Sequence, residues 1–421
     1  MVQLLSLSLL AGLSAVASAV PTIEVKGSKL FTSEGNQFYV KGIAYQLIPD
    51  DPLVDATQCG LDSALMKTLG ANSIRVYHVD PDADHTKCMK TFADAGIYLW
   101  VDLDTFDTQV EQNTPRWETD QHDAFAKVMD AFEQFDNVAG FFIGNEAITT
   151  ANGSVTAPYI KAATRDMKAY RDKKGYRKIP IGYSAADIAS LRPMLQNYLA
   201  CGDNADDRLD FFSLNAYSWC GQSSYEQSGY NMLEKNSEDL HIPIFMSETG
   251  CNTVRPRDFA DQNALFGEMA DVWSGSIVYE WIEEMNDYGI ISYGPKVDAA
   301  SPRPRQMVWA TLNPTGVKAS NYSPTQTPVP CPAYTAGAWE VNPSSPLPTL
   351  GQKHDFNETP TSASFSATPT SGTQDAKESG SGTGAKTSAP ASTGAAANGL
   401  AKELKSVGAV FAGVMAVLAW L

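Results

Sequence analysis

Two stretches of this sequence place a carboxylate where a strand should end. Val138-Ala-Gly-Phe-Phe-Ile-Gly-Asn-Glu146 is a short apolar run of β-formers that stops at Gly144-Asn145-Glu146. Pro243-Ile-Phe-Met-Ser-Glu248 has the same grammar before Thr249-Gly250-Cys251. Each run reads as a buried strand with its glutamate at the C-terminal end. In barrels of parallel strands that end carries the chemistry. A single strand-end glutamate is more often an ordinary loop acid, but two with this symmetry point to paired carboxylates facing one cleft. Such a pair can flank a glycosidic bond as acid/base and nucleophile, with carboxyl groups about 5–5.5 Å apart for retention or about 6.5–9.5 Å for inversion. The acid must meet substrate protonated, so Glu146 needs a less polar or more anionic setting than Glu248. Arg75 beside Glu248 would keep the nucleophile ionised.

Other strand ends add to the constellation. Arg75 and Tyr77 close Ser73-Ile-Arg-Val-Tyr77, and Asp102 closes Leu99-Trp-Val-Asp-Leu103. Asn215 and Tyr217 close Leu214-Asn-Ala-Tyr-Ser-Trp219, while Tyr279 closes Ile277-Val-Tyr-Glu-Trp281. Two carboxylates, an arginine, an amide and several aromatics on one rim suit a carbohydrate, which offers hydroxyls to polar groups and C–H faces to rings. For each aromatic, core or rim packing is an equal competitor. Other chemistries find little support. The net charge of −17 leaves nothing basic to neutralise phosphates, which argues against nucleic acid. The five histidines show no metal-ligand spacing, and there is no G-x-S-x-G elbow or P-loop, so neither metal nor cofactor is expected.

These residues need elements to position them. The strand candidates are Tyr39 to Ala44, Asn72 to Tyr77, Ile97 to Leu103, Val138 to Gly144, Ile179 to Tyr183, Phe211 to Asn215, Ile242 to Ser247 and Ser276 to Tyr279. Helical patterns lie between them, including Gln121 to Phe135, Ala157 to Lys173 and Arg257 to Trp273. That alternation, over a span near the roughly 250 residues typical of the fold, predicts an α/β (β/α)8 TIM barrel across residues 20–316. A doubly wound sheet is the alternative, without a Gly-rich first turn to support it. Residues 22–39 alternate around Ser33-Glu34-Gly35-Asn36 and read as a β-hairpin lid. A Pro/Ser/Thr-rich strap at 317–348 holds Cys331, Tyr334 and Trp339, and a disulfide should fasten it to the barrel. The Ser/Thr/Gly/Ala-rich stretch 349–398 buries too little apolar surface to order itself and reads as an O-glycosylated, disordered stalk.

Both termini carry addresses. Leu4 to Val16 with Ala17-Ser18-Ala19 fits a signal peptide of residues 1–19. Small residues near Gly394 to Asn398, a spacer and the apolar tail Val407 to Leu421 match a GPI-attachment signal, so 399–421 would be removed. Secretion and a lipid anchor at the outer face of the plasma membrane, or in the cell wall, follow. The six cysteines Cys59, Cys88, Cys201, Cys220, Cys251 and Cys331 then predict a disulfide framework whose pairing the sequence leaves open. Asn152, Asn321 and Asn357 head glycosylation sequons.

Several motifs together resemble the fungal GPI-anchored β-1,3-glucanosyltransferases of glycoside hydrolase family 72. They are Val40-Lys-Gly-Ile-Ala-Tyr-Gln46, Ile74-Arg-Val-Tyr77, Val101-Asp-Leu-Asp104, Gly144-Asn145-Glu146, Tyr217-Ser-Trp-Cys-Gly221 and Ser247-Glu-Thr-Gly-Cys-Asn252. The likeness runs from about Val20 to Trp339. It implies a retaining enzyme that cleaves β-1,3-glucan internally and joins the new reducing end to the non-reducing end of another glucan. By position it makes Glu146 the acid/base and Glu248 the nucleophile, has Asn145 hold the sugar 2-hydroxyl and Tyr217 hydrogen-bond Glu248, and puts Gln46, Tyr77, Asp102 and Tyr279 along the glucan subsites. It also implies the pairs Cys59–Cys88, Cys201–Cys331 and Cys220–Cys251. The cysteines are too few for the cysteine-rich carbohydrate-binding module of many members, so the chain resembles the short form. The stretch Leu47 to Thr57, which borders the cleft in the family, is also short. A plain endo-β-1,3-glucanase with the same glutamates is the runner-up, and a non-catalytic glucan-binding wall protein is a third reading.

Overall fold

The computed structural model describes residues 20–46, 51–292 and 308–356. The expected signal peptide, Asn357, the stalk beyond residue 356 and the GPI-attachment segment lie outside the described residues. The chain divides into a unit of Met1–His354 and a second unit of Asp355–Leu421, of which only Asp355 and Phe356 are described.

The hairpin strands β1 (Ile23–Lys26) and β2 (Lys29–Thr32) come first, followed by β3 (Val40–Ala44), α1 (Ala56–Leu69), β4 (Ser73–Val76) and α2 (Thr86–Asp94). Next are β5 (Tyr98–Asp102), the short β6 (Arg116–Trp117), α3 (Thr119–Phe132), β7 (Val138–Asn145) and α4 (Ala157–Lys174). Then come β8 (Ile181–Ala186), α5 (Arg192–Ala200), β9 (Phe211–Ala216), α6 (Tyr230–Lys235), β10 (Ile244–Thr249), α7 (Asp261–Leu265), β11 (Trp273–Val278) and β12 (Gln352–Lys353). Strands β3, β4, β5, β7, β8, β9, β10 and β11 pair in parallel and close as β11 meets β3. This is the (β/α)8 barrel, with all eight expected strands found to within a few residues.

Local chemistry starts and stops the helices. Asp55 accepts from the backbone nitrogens of Thr57 and Gln58 to cap α1, Glu118 and Gln121 form a capping box on α3, and Gly70 and Gly175 end α1 and α4 in the left-handed region. One expected helix does not form. The span 257–273 holds only α7 and a short 3-10 turn at Glu268–Asp271. Gly267 leaves helical geometry at φ −109° and ψ −103°, and Trp273 is drawn into β11 opposite Ile244.

Trp100, Phe142, Phe211 and Phe245 fill the barrel interior, with Phe211 stacked on Phe245 at 5.3 Å and edge-on to Trp100 at 5.2 Å. Glycines on the strands make room for them. A Cβ at Gly140 would lie 2.6 Å from the Trp100 ring, and one at Gly182 would lie 2.3 Å from Phe211. The hairpin packs Ile23 and Leu30 into the same cluster, which also takes Phe38 from just before β3 and Tyr98 and Ala139 from the N-terminal ends of β5 and β7. It therefore closes the mouth opposite the glutamates. Its turn falls at Gly27-Ser28, where Gly27 has φ +55°, and not at Ser33–Asn36, which forms the next turn back to Gln37.

The disulfides are Cys59–Cys88 between α1 and α2, Cys201–Cys331 between the end of α5 and the strap, and Cys220–Cys251 between the loops after β9 and β10. The strap also lays Tyr322 on Phe31 at 5.6 Å and buries Trp339 against Tyr198 at 5.7 Å. The order it brings extends past residue 348. Gln352–Lys353 pairs with Arg116–Trp117, and Lys353 meets Glu118 at 2.8 Å. Backbone hydrogen bonds from Gly351 to Trp117 and from His354 to Pro115 hold this stretch without an apolar core, which is why composition placed the boundary too early. Among the described residues no helix is long and apolar enough to cross a membrane.

Candidate active site

Arg75, inside β4, is the hub of the C-terminal mouth. It is fully buried, and a buried guanidinium is costly unless its donors are engaged. Here Nε and Nη2 reach the two oxygens of Asp102 at 3.0 and 2.7 Å. Nη1 donates to Ser184 Oγ at 3.1 Å, and Nη2 also donates to Asn145 Oδ1 at 3.1 Å. The plane lies between the rings of Tyr77 and Phe142, 4.3 and 4.2 Å from their centroids. From this position Nη1 stands 3.5 Å from Glu248 Oε1.

Glu248, in β10, is 8% exposed. Tyr77 donates its hydroxyl to Oε1 at 2.9 Å and Tyr217 donates to Oε2 at 2.6 Å. Burial pushes the Glu248 carboxyl up and sets its net direction, while Arg75, Tyr217 and Tyr77 oppose the rise by stabilising the anion. The two tyrosines are held well above their ordinary value, first by burial and then by the Glu248 charge, so both remain donors.

Glu146 follows β7 with φ +48°, a left-handed conformation that is rare for a side-chain-bearing residue and gathers at functional sites. Its backbone nitrogen is fixed to Ser184 O at 2.8 Å, and Asn215 Nδ2 donates to Oε1 at 2.9 Å. Burial and then the Glu248 charge raise its carboxyl to about 7, against weaker opposition from Asn215 and Arg75. Glu248 thus takes two hydroxyl donors and faces the Arg75 guanidinium, while Glu146 takes one amide donor and is raised to about 7. That asymmetry lets one act as a base or nucleophile while the other holds a proton.

Around this pair the remaining expected residues take distinct places. Asn145 Oδ1 accepts from Arg75 and from Asn215 Nδ2, both at 3.1 Å. Gln46, 5% exposed, accepts the backbone nitrogens of Tyr77 and His78 at 2.9 Å with its Oε1. Asp102, 2% exposed, gives both oxygens to Arg75. Gln46 and Asp102 thereby hold Tyr77 and Arg75 in place. Tyr279 stands edge-on to Tyr77 and to Tyr217 at 6.4 Å, and 5.3 Å from Tyr288.

Sequence reasoning missed several members. Ser184 and Ser247 join Asn215 Oδ1 at 2.9 and 2.8 Å under the carboxylates. Their signal was a polar residue in an otherwise apolar strand. Tyr288 and Arg257 lie in loops, where nothing marked them. Arg257 donates to the carbonyls of Tyr279, at 2.7 Å, and of Tyr288, so the loop after β10 holds the loop after β11. Cys220–Cys251 ties the loop after β9 to the same assembly. Sequons Asn152 and Asn321 are exposed.

The family profile of glucanosyltransferases, glycoside hydrolase family 72, matches residues 12–301. The protein EPD1 of Candida maltosa is 46% identical over 288 residues, covering 66% of this chain and 52% of EPD1. The 1,3-beta-glucanosyltransferase GAS5 of Saccharomyces cerevisiae is 40% identical over 354 residues, covering 81% of this chain and 73% of GAS5. The chain thus spans about half the length of one relative and about three quarters of the other. Among solved structures, a glutamate-to-glutamine mutant of Saccharomyces cerevisiae Gas2p in complex with laminaritetraose and laminaripentaose superposes with a TM-score of 0.72 at 37% identity, covering 78% of this chain and 75% of that one. By its sequence and by its barrel, this chain belongs to glycoside hydrolase family 72, the glucanosyltransferases.

Proposed function

We propose that this chain is a retaining β-1,3-glucanosyltransferase. The observation that carries the reading is the unequal setting of its two strand-end carboxylates, Glu248 between two tyrosine hydroxyls and the Arg75 guanidinium and Glu146 raised to about 7 beside one amide. Glu248 attacks the anomeric carbon of an internal β-1,3 linkage, while Glu146 passes its proton to the departing glycosidic oxygen. The reducing-side fragment leaves. Glu146, now ionised, takes the proton from the terminal hydroxyl of a second glucan, whose oxygen displaces Glu248 and forms a new, longer chain. Tyr77 and Tyr217 hold the Glu248 oxygens on line, and Arg75 offsets the charge that returns to Glu248 when the intermediate breaks down. Asn145 keeps its carbonyl on Arg75 and Asn215, which leaves its amide nitrogen for the sugar 2-hydroxyl. Gln46 and Asp102 support the glucan subsites from behind, through Tyr77 and Arg75. The names of GAS5 and of the oligosaccharides in the Gas2p crystals support the same substrate class.

Hydrolysis by the same two glutamates differs only in the acceptor. The wall of Tyr217, Tyr279 and Tyr288 beside Glu248 favours a bound sugar, because an oriented acceptor reaches effective molarities of about 10⁵ M or more against solvent. Product profiling on a reduced β-1,3-oligosaccharide decides it. Products longer than the substrate establish transfer, and shorter products alone overturn it in favour of an endo-β-1,3-glucanase.

The same reading places the protein outside the cell, glycosylated at Asn152 and Asn321 and held to the membrane by a GPI lipid added near Gly394 to Asn398. The exposure of both asparagines and the terminal sequence signals support it. Release from intact cells by a phosphatidylinositol-specific phospholipase is the check.

A further inference from the structure

Aromatic surface continues along the rim beyond Tyr77. Phe106, in the loop after β5, is 49% exposed, and its ring lies 4.4 Å from that of His78 at an interplanar angle of 49°. An exposed phenylalanine alone is ordinary on a protein surface. Phe106 differs in being backed by a second ring and in what that ring is attached to. His78 follows Tyr77 directly, and Gln46 Oε1 holds both backbone nitrogens at 2.9 Å. Tyr77 in turn donates to Glu248 at 2.9 Å. The platform therefore shares its support with a residue that touches the proposed nucleophile.

Barrel order gives the direction. The loops after β4 and β5 lie across the mouth from the loop after β9, which bears Tyr217, and from the end of β10, which bears Glu248. The His78–Phe106 pair thus stands across the mouth from Tyr217 and Glu248. Burial lowers the basicity of the His78 imidazole.

We infer that Phe106, backed by His78, is a stacking subsite for one glucosyl unit of a β-1,3-glucan chain, beyond the units held at Glu146 and Glu248. The apolar C–H face of the pyranose lies on the open face of Phe106. The inference rests on the glucan reading of the cleft and adds to it a residue that senses chain length.

The test is kcat/KM on laminari-oligosaccharide donors of increasing length, for the wild type, Phe106→Ala, His78→Ala and Phe106→Trp. Phe106→Ala should lose about three- to tenfold on the longest donors, mostly through KM. The loss should vanish once the donor is too short to reach the platform. His78→Ala should show the same length dependence in weaker form, and Phe106→Trp should retain wild-type behaviour. A loss equal at every length, or none at any length, overturns the subsite. Wild-type protein inert on every donor would sink the glucan reading and the subsite with it, whereas an active wild type with a length-independent Phe106→Ala sinks the subsite alone.

Discussion

The two mouths of the barrel are made from the same eight strands and are built on opposite principles. At the N-terminal mouth Tyr98, Ala139, Phe211 and Phe245 meet Ile23, Leu30 and Phe38 in a cluster that excludes water, and the hairpin seals it. At the C-terminal mouth Arg75, Asp102 and Glu248 are buried and Glu146 is half-buried, with Arg75 bonded to Asp102 and within 3.5 Å of Glu248. One end gains free energy from burial. The other spends some of it on desolvated charge and on a left-handed Glu146. The difference teaches that the closed, apolar end can carry stability while the open end is shaped for chemistry.

The largest effect should come from Glu146→Gln and Glu248→Gln, which keep shape but remove proton transfer or nucleophilicity. Each should lower turnover by about 10³-fold or more with near-wild-type melting. Substantial transfer by either purified variant would break the contrast at the open mouth. At the other mouth Phe211→Ala should do the reverse, costing about 3–5 kcal/mol in denaturant unfolding while the folded fraction keeps its kcat. Loss of kcat without loss of stability there would show that the two ends are not separable.

The pH profile comes next in size. Glu146 must be protonated to act as acid, so kcat/KM should fall about tenfold per pH unit above about 7. Stability has the same sign. Between the ordinary 4.5 and about 7 the folded chain keeps a proton that the unfolded chain has released, so stability falls as pH rises through that window. Asp104 and Glu280, each raised to about 8, add to the same fall, so Glu146→Gln should shrink it without abolishing it, read as the difference between variant and wild-type melts at pH 4 and pH 8. The smallest effect is expected from Tyr217→Phe, which deletes one of the hydroxyls on Glu248. It should lower kcat by about tenfold and move the acidic limb of the profile upward, because Glu248 loses a donor to its anion. An unmoved acidic limb would take Tyr217 out of the support of Glu248.

Much of this was legible because strands announce themselves locally. Val138-Ala-Gly-Phe-Phe-Ile-Gly and Pro243-Ile-Phe-Met are buried on both faces, so they read as apolar runs, and a charged residue at their ends stands out. Ser184 and Ser247 were also in the text as lone polar residues within such runs, but their role appears only when Asn215 is placed between them. Tyr288 and Phe106 lie in loops, whose sequences carry no period and whose paths depend on neighbours far along the chain, and Arg257 opened a stretch that read as helical but is loop here. The supposed helix over 257–273 failed for a related reason, since pairing with β10 and β3 claimed Trp273 and Gly275 for a strand.

The sequence by itself determined that eight apolar strands would alternate with helices and that two of them would end in glutamate, because burial and periodicity act over a few residues. The unequal support of the two glutamate anions came only with the tertiary fold. That depends on Arg75, Tyr77 and Tyr217 converging on Glu248 from β4 and the loops after β4 and β9, while Glu146 receives one amide. Charge and desolvation act through space, and residues 171 positions apart in the chain are brought within 2.9 Å only when the barrel closes.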